Sequence, residues 1–245
     1  IMAKDGPSIV SNSTAATFDN SPQKTGEPVD RLSIYSGKAL EFDGVSDYIA
    51  FTEWEHIAST SGNFTIALWV NVEALPSNNY KTKLFVENIA TPYHGLTLTS
   101  AGTIWSRLRN AADDNYEITN TTTNTVTLGS WHRIVATWEY NTAYKVYFDG
   151  VLDLNMTEKN GGGSFTGFLT SKGFGKIIGT EGSFKMSDVQ LWAGTTAAWS
   201  LADVQYDYEN PENLVSSRAG TSVTTSNLVR WYPMNDTGVT TPQTV

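Results

Sequence analysis

The sequence predicts an all-β fold, a two-sheet antiparallel jelly-roll sandwich with one short helix near the C-terminus. Three observations carry this prediction. About a dozen short runs of alternating apolar and polar residues are separated by turn-forming residues. Three of these runs follow one another within residues 131–155, as a meander that needs a second sheet to cover it. A single helix signal occurs, close to the end. Many short strands joined by turns are typical of sandwiches and jelly rolls.

The central meander, Trp131–Asn155, shows the pattern most clearly. Its first strand divides into two sets of side chains: His132, Ile134, Ala136, Trp138 and Tyr140 on one face, and Arg133, Val135, Thr137 and Glu139 on the other. A second run ends at Phe148, and Asp149-Gly150 separates it from a third. Because a type I′ turn requires positive φ at both central residues, Asp-Gly predicts a tight hairpin here. We therefore expect Gly150 to have a positive φ.

Strands are also predicted on both sides of the meander. In Asn63–Val72 every second residue is apolar, and we expect that face to pack with Ile134, Ala136 and Trp138. The remaining predicted strands are Ala39–Phe42, Asp47–Phe51, Lys83–Val86, Gly95–Thr99, Thr103–Arg109, Tyr116–Ile118, Lys176–Gly179, Met186–Trp192 and Asn227–Tyr232. Since bare strand edges invite aggregation, we expect the first of these strands to lie beside one of the last two.

Two further segments complete the layout of the chain. Ser200-Leu201-Ala202-Asp203 is typical of a capping box and predicts a helix that stops before Pro211. Residues 1–37 are rich in Ser, Thr, Asn, Gly and Pro, and we interpret them as an N-terminal arm or linker before one domain over residues 38–245. Packing of this segment on its own domain is the alternative, with Phe18 among the candidates for a short edge strand.

Composition argues against several classes of function. The formal net charge of −9 disfavours nucleic acid and anionic membranes as partners, because both attract basic surfaces. No apolar run approaches the ~18–20 residues of a membrane span, so no membrane insertion is expected. The chain has no cysteine, which excludes disulfides, a thiolate nucleophile and a cysteine zinc site. The surplus of carboxylates is compatible with Ca²⁺.

Five blocks carry a family resemblance. In chain order they are ALEFDGVSDYIAF, FTIALWVNV, GSWHRIVATWEYNTAYKVYFDGVLD, SDVQLW and NLVRWYPMNDTG. Together they resemble the concanavalin A-like lectin/glucanase superfamily, specifically its laminin-G-like (LamG, pentraxin-like) jelly-roll domains, over roughly residues 38–236. The resemblance implies two stacked sheets, one of them concave. It also implies a domain of extracellular proteins or of phage and viral surfaces that binds glycans or proteins, often with one structural Ca²⁺.

The catalytic pattern of the related glucanases is incomplete here. Those enzymes place carboxylates as Glu-x-Asp-x-Glu or Glu-x-Asp-x-x-Glu, because an acid and a nucleophile must flank one glycosidic bond. Glu41-Phe42-Asp43 begins such a pattern, but Val45 and Ser46 stand where the second Glu belongs. The three histidines show no metal-ligand spacing. No catalytic residue is therefore assigned.

A calcium site is implied by the resemblance. In related folds an Asp at the start of the second-to-last strand meets main-chain oxygens near the first strand's turn, roles that fall to Asp188 and to Asp43-Gly44 here. Family members often carry two acidic residues where this chain has Ser187-Asp188. Asp188 has no basic neighbour in sequence except Lys185, which leaves its carboxylate in need of donors or a cation. The alternative is that Asp43 is only a turn former.

A candidate ligand face lies on the predicted strand Thr103–Arg109. Trp105, Arg107 and Arg109 share one side of it, opposite Ile104, Ser106 and Leu108. An indole stacks on the apolar face of a sugar, and guanidinium groups donate to hydroxyls or carboxylates. The residues expected in neighbouring loops are Tyr93, His94, Asp113, Asp114 and Tyr116. The alternative is an ordinary exposed strand face with surface salt bridges.

The leading hypothesis is a non-catalytic recognition module, glycan-binding and exposed on an extracellular or virion surface, with a glycan or a surface protein as its partner. The second is a structural or decoration subunit of a phage or viral particle that contacts neighbouring subunits. The third is an unusual glycosidase. Loss of glycan binding in Trp105→Ala separates the first from the second, and polysaccharide turnover identifies the third.

Overall fold

The computed structural model describes residues 18–19, 39–45, 47–51, 62–79, 82–86, 94–109, 117–157, 175–179 and 182–232. These residues form fourteen strands, one α-helix and two 3₁₀ turns. The strands are β1 (Phe18–Asp19), β2 (Ala39–Phe42), β3 (Asp47–Phe51), β4 (Asn63–Val72), β5 (Thr82–Val86), β6 (His94–Leu98), β7 (Thr103–Arg109), β8 (Glu117–Thr125), β9 (Trp131–Glu139), β10 (Ala143–Phe148), β11 (Val151–Met156), β12 (Gly175–Gly179), β13 (Phe184–Gly194) and β14 (Leu228–Tyr232). The helix is α1 (Leu201–Glu209), and the 3₁₀ turns are Val215–Ser217 and Thr225–Asn227.

The strands form two antiparallel sheets. The eight-stranded sheet has the order β1-β2-β13-β4-β9-β10-β11, and β14 also pairs with β13. The six-stranded sheet has the order β3-β12-β5-β6-β7-β8. Neighbours in both sheets are frequently distant in sequence, as a jelly roll requires. The predicted all-β sandwich with one short helix near the C-terminus is confirmed.

The main core lies between the sheets. Along β4 and β9 the register pairs Phe64 with Trp138, Ile66 with Ala136, and Leu68 with Ile134. These six side chains are at most 1% exposed, which confirms that the alternating face was assigned correctly. Across the gap between the sheets, the Ser106 hydroxyl donates to the Tyr144 oxygen at 2.8 Å. This hydrogen bond satisfies two buried polar groups inside an otherwise apolar core.

The hairpin between β10 and β11 has the predicted geometry. Asp149 has φ 51° and Gly150 has φ 80°, as a type I′ turn requires. A Cβ at position 150 would lie 3.1 Å from a ring carbon of Tyr208 in α1. Glycine is therefore needed here for its backbone conformation and for the close approach of the helix.

The two ends of the domain meet on one strand. β13 pairs with β2 on one side, and β14 also pairs with β13, so the predicted proximity of these strands is confirmed. The N-terminal segment contributes as well, because Phe18 pairs with Leu40 at the edge of the eight-stranded sheet. Part of the segment assigned to an arm thus extends the sheet. The predicted division at residues 37 and 38 stays a prediction.

β8 is longer than the sequence analysis expected. A strand was predicted at Tyr116–Ile118, whereas β8 continues through a Thr/Asn tract to Thr125. The extension is stabilised by β-branched threonines, which suit a pleated strand. Thr122 is 3% exposed, and its hydroxyl accepts a hydrogen bond from the amide of Ile104 at 2.9 Å. The sequence did not reveal this part of the strand, because its polar residues show no alternation with apolar ones.

A second apolar cluster covers the outer face of the eight-stranded sheet. It is formed by Ala67, Val135, Tyr147 and Trp192 from the strands and by Ala197, Trp199, Val204, Leu214, Val215 and Val223 from the C-terminal region. The predicted capping box starts α1, because the Ser200 hydroxyl accepts from the amide of Asp203, whose carboxylate accepts from the amide of Ser200. Both faces of β4 and β9 are consequently buried. Among the described residues, no helix is long and apolar enough to cross a membrane.

Candidate functional site

The predicted ligand face points away from the core. In β7 the side chains of Ile104, Ser106 and Leu108 are fully buried between the sheets. Trp105 and Arg107 alternate with them and are partly exposed. The structure therefore places the indole and the guanidinium group on the outer side of the six-stranded sheet.

Trp105 and Arg107 contact each other on this surface. The Arg107 Cζ lies 5.8 Å from the centroid of the Trp105 ring, within the range of a cation–π interaction. Trp105 pairs with Thr97 on β6 and with Thr121 on β8, so two threonines flank the indole. Thr97 is buried, whereas Thr121 is partly exposed, so Thr121 supplies the accessible hydroxyl beside the ring. We call the outer surface of the six-stranded sheet around Trp105 and Arg107 the Trp105 face.

The other predicted ligand residues are distributed unevenly. Arg109 ends β7 and pairs with Glu117 of β8. His94 begins β6 and pairs with Leu108, whereas Arg107 pairs with the next residue, Gly95. His94 therefore lies at a position that alternates with those opposite Trp105 and Arg107. The predictions at Tyr93, Asp113, Asp114 and Tyr116 lie outside the described residues. The structure thus brings together Trp105 and Arg107 and places Arg109 further along the same strand.

Asp188 does not lack a basic partner, contrary to the sequence-based expectation. The Nη1 of Arg133 lies 3.1 Å from Asp188 Oδ2, and Gln190 Nε2 donates to the same oxygen at 2.8 Å. The indole of Trp231 donates to Oδ1 at 2.7 Å. Asp188 is 3% exposed and has φ 45°, at a register shift in β13. Its carboxylate is satisfied by three side chains, while Lys185 pairs with Glu73 at 2.9 Å.

Asp43-Gly44, the other half of the predicted calcium site, lies elsewhere. A Cβ at Gly44 would approach the backbone of Gly182 at 3.1 Å, which places this turn at the start of β13. Asp188 lies five residues beyond Ser183, or about 16 Å along an extended strand. The Asp43 carboxylate accepts from the amide of Val45 at 2.8 Å, as in a local turn. The structure does not bring the two halves together, and calcium binding stays a prediction.

A buried ion pair was missed by sequence reasoning. Arg133 donates from Nε to Asp207 Oδ2 at 2.7 Å and from Nη2 to Asp207 Oδ1 at 2.9 Å. Their side chains are 0% and 2% exposed. Burial raises the pKa of Asp207, the positive charge of Arg133 opposes this rise, and Asp188 adds to it. The pair fastens α1 to the eight-stranded sheet.

An aromatic stack lies against this ion pair. The Arg133 Cζ lies 5.6 Å from the centroid of the Trp69 ring, and Trp69 stacks on Tyr208 of α1 at 5.9 Å. One feature of the sequence could have indicated this ion pair: Arg133 lies on the same face of its strand as the apolar Val135. Because the network is closed to solvent, it stabilises the fold and offers no surface for a ligand.

Comparison with known proteins gave a family match and several structural neighbours. The model of a family described as the concanavalin A-like lectin/glucanases superfamily matches residues 43–202. No match was found among curated proteins. A sialidase of Trypanosoma rangeli superposes with a TM-score of 0.53 and 14% identity, over 74% of this chain and 28% of that one.

Two toxin domains are also similar in structure. The binding domain of Paraclostridial Mosquitocidal Protein 1 has a TM-score of 0.57 and 14% identity, over 84% of this chain and 52% of the other. The receptor binding domain of botulinum neurotoxin mosaic serotype C/D has a TM-score of 0.54 and 12% identity, over 84% and 50%. This chain thus spans 28% to 52% of those solved chains. At identities this low, the structural similarity shows a shared fold alone.

The family match spans well over half of the chain and includes β3 to β13 and the start of α1. The two-sheet topology described above agrees with it. The chain belongs to the concanavalin A-like lectin/glucanase superfamily.

Proposed function

We propose that this domain is a non-catalytic glycan-recognition module that binds its ligand on the Trp105 face. One observation carries the proposal: a partly exposed indole and a guanidinium group lie side by side on the outer surface of a lectin-like sandwich. Both side chains belong to β7, which is paired on both sides, by β6 and by β8. A binding surface on strands is more rigid than one on loops.

The chemistry of the Trp105 face suits a sugar. An indole ring offers a flat apolar surface, on which the CH groups of a pyranose ring can stack. Arg107 supplies a planar set of N–H donors for hydroxyl or carboxylate oxygens. The hydroxyl of Thr121, opposite Trp105, can donate or accept. This combination of stacking and polar groups matches a ligand with alternating apolar and hydroxylated faces.

Binding is favoured over hydrolysis by the placement of the carboxylates. Glycoside hydrolysis uses two carboxyl groups about 5–9.5 Å apart on either side of one bond. The closely placed Asp188 and Asp207 are both buried and share Arg133, so a polysaccharide has no access to them. The Trp105 face, where the structure describes its side chains, carries threonine, tryptophan and arginine.

The structural neighbours are consistent with this proposal. Two are named as a binding domain and a receptor binding domain of toxins, and one is a sialidase. Recognition of a glycan on a cell or particle surface implies an extracellular location for this domain. The alternative of a virion decoration subunit with protein partners stays a prediction.

A glycan array with the parent and two variants tests the proposal. Trp105→Ala should lower the affinity for the bound glycans by at least about tenfold, because central aromatic anchors dominate binding energy. Trp131→Ala is the matched control, since Trp131 is also a partly exposed tryptophan but belongs to the eight-stranded sheet. Equal loss in both variants, or unchanged binding in Trp105→Ala, would contradict the proposal.

A further inference from the structure

His132 lies where a loop and a hairpin meet, and it is only 8% exposed. The loop comprises residues 126–130 and joins β8 to β9, so it connects the six-stranded sheet to the eight-stranded sheet. We call it the β8–β9 loop. The hairpin is the Asp149-Gly150 turn between β10 and β11. Both segments form a hydrogen bond with the imidazole ring of His132.

The two hydrogen bonds assign the proton of the ring. The backbone amide of Thr127 in the β8–β9 loop donates to Nε2 of His132 at 2.9 Å. Because a backbone N–H can only donate, Nε2 carries no proton in this arrangement. The proton of the neutral ring is therefore on Nδ1, which lies 2.7 Å from Oδ2 of Asp149 and donates to it.

A second proton on the ring would affect the two contacts in opposite ways. Histidine is the side chain whose charge ordinarily changes between about pH 5 and pH 8. Protonation of Nε2 would place an N–H against the N–H of Thr127, so this hydrogen bond would be lost. The hydrogen bond from Nδ1 to Asp149 would join two opposite charges and become stronger. Acid thus loosens the loop and retains the hairpin.

Among the described residues, the charged group that contacts the ring is Asp149. Its other oxygen accepts from the backbone amide of Arg133 at 2.8 Å, which holds the carboxylate in place. The guanidinium group of Arg133 binds Asp207, since its side chain alternates with that of His132 along β9. Burial and, after it, the charge of Asp149 raise the pKa of Tyr208 in α1, so this phenol stays neutral between pH 5 and pH 8.

The other strands beside the ring present apolar side chains to it. Val70 of β4 is the cross-strand partner of His132, and the Phe148 ring of β10 lies 4.9 Å away. The charged residues at this end of β4 and β13, Glu73 and Lys185, form an ion pair with each other at 2.9 Å. Protonation of His132 is therefore opposed by burial and by the Thr127 amide, and favoured by Asp149.

We propose that His132 is a pH-sensitive contact that holds the β8–β9 loop when neutral and releases Thr127 when protonated. The release is local, because the Gly129 amide still donates to the Val72 carbonyl at 2.8 Å and the Val126 amide to the Gly102 carbonyl at 2.8 Å. It affects residues 127 and 128, between these two anchors. The inference does not depend on glycan recognition.

NMR of the whole domain between about pH 8 and pH 5 tests the inference. At about pH 8 the ¹⁵N spectrum of the His132 ring should show the proton on Nδ1. As the pH falls, the hydrogen-exchange protection factor of the Thr127 amide should decrease at least about fivefold, as expected for the loss of one hydrogen bond. The protection factors of the Arg133 and Gly129 amides should each change by less than about twofold, since their hydrogen bonds remain.

Three variants connect this response to the ring. His132→Gln supplies an amide oxygen that can accept from Thr127 and does not titrate, so Thr127 should stay protected across the range. Asp149→Asn removes the charge that favours the protonated ring and keeps a residue suited to the type I′ turn. The loss of protection should then occur at lower pH than in the parent. His94→Gln in β6 is the matched control and should behave as the parent does.

Several outcomes would overturn the inference. One is a Thr127 protection factor that stays constant over the range, and another is a ring that carries its proton on Nε2 at about pH 8. The same loss of protection in His132→Gln would also do so, because another group would then be responsible. Thermal melts check that the variants fold. If His132→Gln does not fold, an unchanged transition in Asp149→Asn contradicts the inference.

Discussion

Arg133 and Asp207 are joined by two hydrogen bonds of 2.7 and 2.9 Å, although 74 residues separate them in the chain. The pair fixes the position of α1 on the outer face of the eight-stranded sheet. Asp188 contacts the same guanidinium group at 3.1 Å, so one arginine serves two buried carboxylates. Removal of one partner leaves a buried charge without compensation, which is costly even where the intact pair contributes little net stability.

Loss of the Asp207 carboxylate should destabilise the domain strongly. We expect Asp207→Ala to lower the free energy of unfolding by about 3–5 kcal/mol, because Arg133 would remain buried beside only one carboxylate. Glu209→Ala on the exposed side of α1 is the control and should change it by less than about 0.5 kcal/mol. Urea unfolding measures both. A loss below about 1 kcal/mol for Asp207→Ala would show that α1 is held mainly by apolar contacts.

Alanine substitutions at Gly129 and Gly150 separate the cost of backbone strain from the cost of steric crowding. Gly129→Ala introduces a side chain at φ 76° with no atom within 4 Å, and should cost about 1–2 kcal/mol from the backbone alone. Gly150→Ala has nearly the same φ but meets Tyr208 at 3.1 Å, so we expect an additional cost of about 1–3 kcal/mol. Thermal or urea unfolding gives the difference. Equal costs would mean that Tyr208 and α1 move aside without penalty.

Asp153 links the edges of the two sheets and should make stability depend on pH. Its carboxylate accepts from the amides of Thr123 and Asn124 at 2.7 and 2.9 Å, and from both side chains. Burial acts to raise the pKa of Asp153, but these hydrogen bonds outweigh it and lower the pKa below its ordinary value. The stabilisation is therefore present above the unfolded-state pKa of about 3.9 and is lost as the pH falls through the folded-state pKa.

The variant Asp153→Asn measures this contribution. We expect it to be less stable than the parent by about 1–2 kcal/mol at pH 7, a modest value because the side chain is partly solvated. The gap between the two proteins should close as the pH falls below about 4. Urea unfolding between pH 7 and pH 2.5 gives the comparison. A gap that stays constant over this range would assign the effect to packing rather than to charge.

Trp138 tests the main core. It is fully buried and pairs with Phe64, so we expect Trp138→Ala to cost about 3–5 kcal/mol. Trp131→Ala, at the partly exposed start of the same strand, should cost much less. Equilibrium unfolding of both variants checks that Trp138→Ala is the more destabilising, and equal losses would contradict the placement of Trp138 in the core. A small loss for Trp131→Ala would also qualify this variant as the control for ligand binding.

Calcium binding can be decided by thermal melts with Ca²⁺ and with EDTA. Asp188 already accepts hydrogen bonds from Gln190 and Trp231 and contacts Arg133. We therefore expect Asp188→Ala to lower the melting temperature by the same amount in both conditions. A rise in the parent's melting temperature with Ca²⁺ that is lost in Asp188→Ala would instead show that a cation enters at this carboxylate.

Much of the fold could be predicted because period-two alternation and turn residues are local signals. Asn63–Val72 and the hairpin at Asp149-Gly150 are formed as expected, and so is the capping box at Ser200. β8 was only partly predicted, since its threonines and asparagines lack apolar alternation. The cover over the outer face of the eight-stranded sheet was missed because that face of β9 mixes Arg133, Thr137 and Glu139 with Val135 and so shows no clear apolar pattern.

The candidate site, too, could be predicted only in part from the sequence. The outward direction of Trp105 and Arg107 follows from their alternation with Ile104, Ser106 and Leu108, which the sequence displays. The cross-strand partners of Trp105 could not be derived from the sequence, because they depend on strand order and register. The partners of Asp188 were equally hidden, since Arg133, Gln190 and Trp231 come together only through the sheet pairing.

The most direct measurement of the central claim is an NMR titration of the assigned domain with the glycan that it binds best on the array. We expect shifts at the Trp105 indole and at the backbone amides of Arg107, Thr97 and Thr121, with little change in α1. Shifts concentrated on α1 or on the eight-stranded sheet, with the Trp105 indole unmoved, would contradict the proposed site.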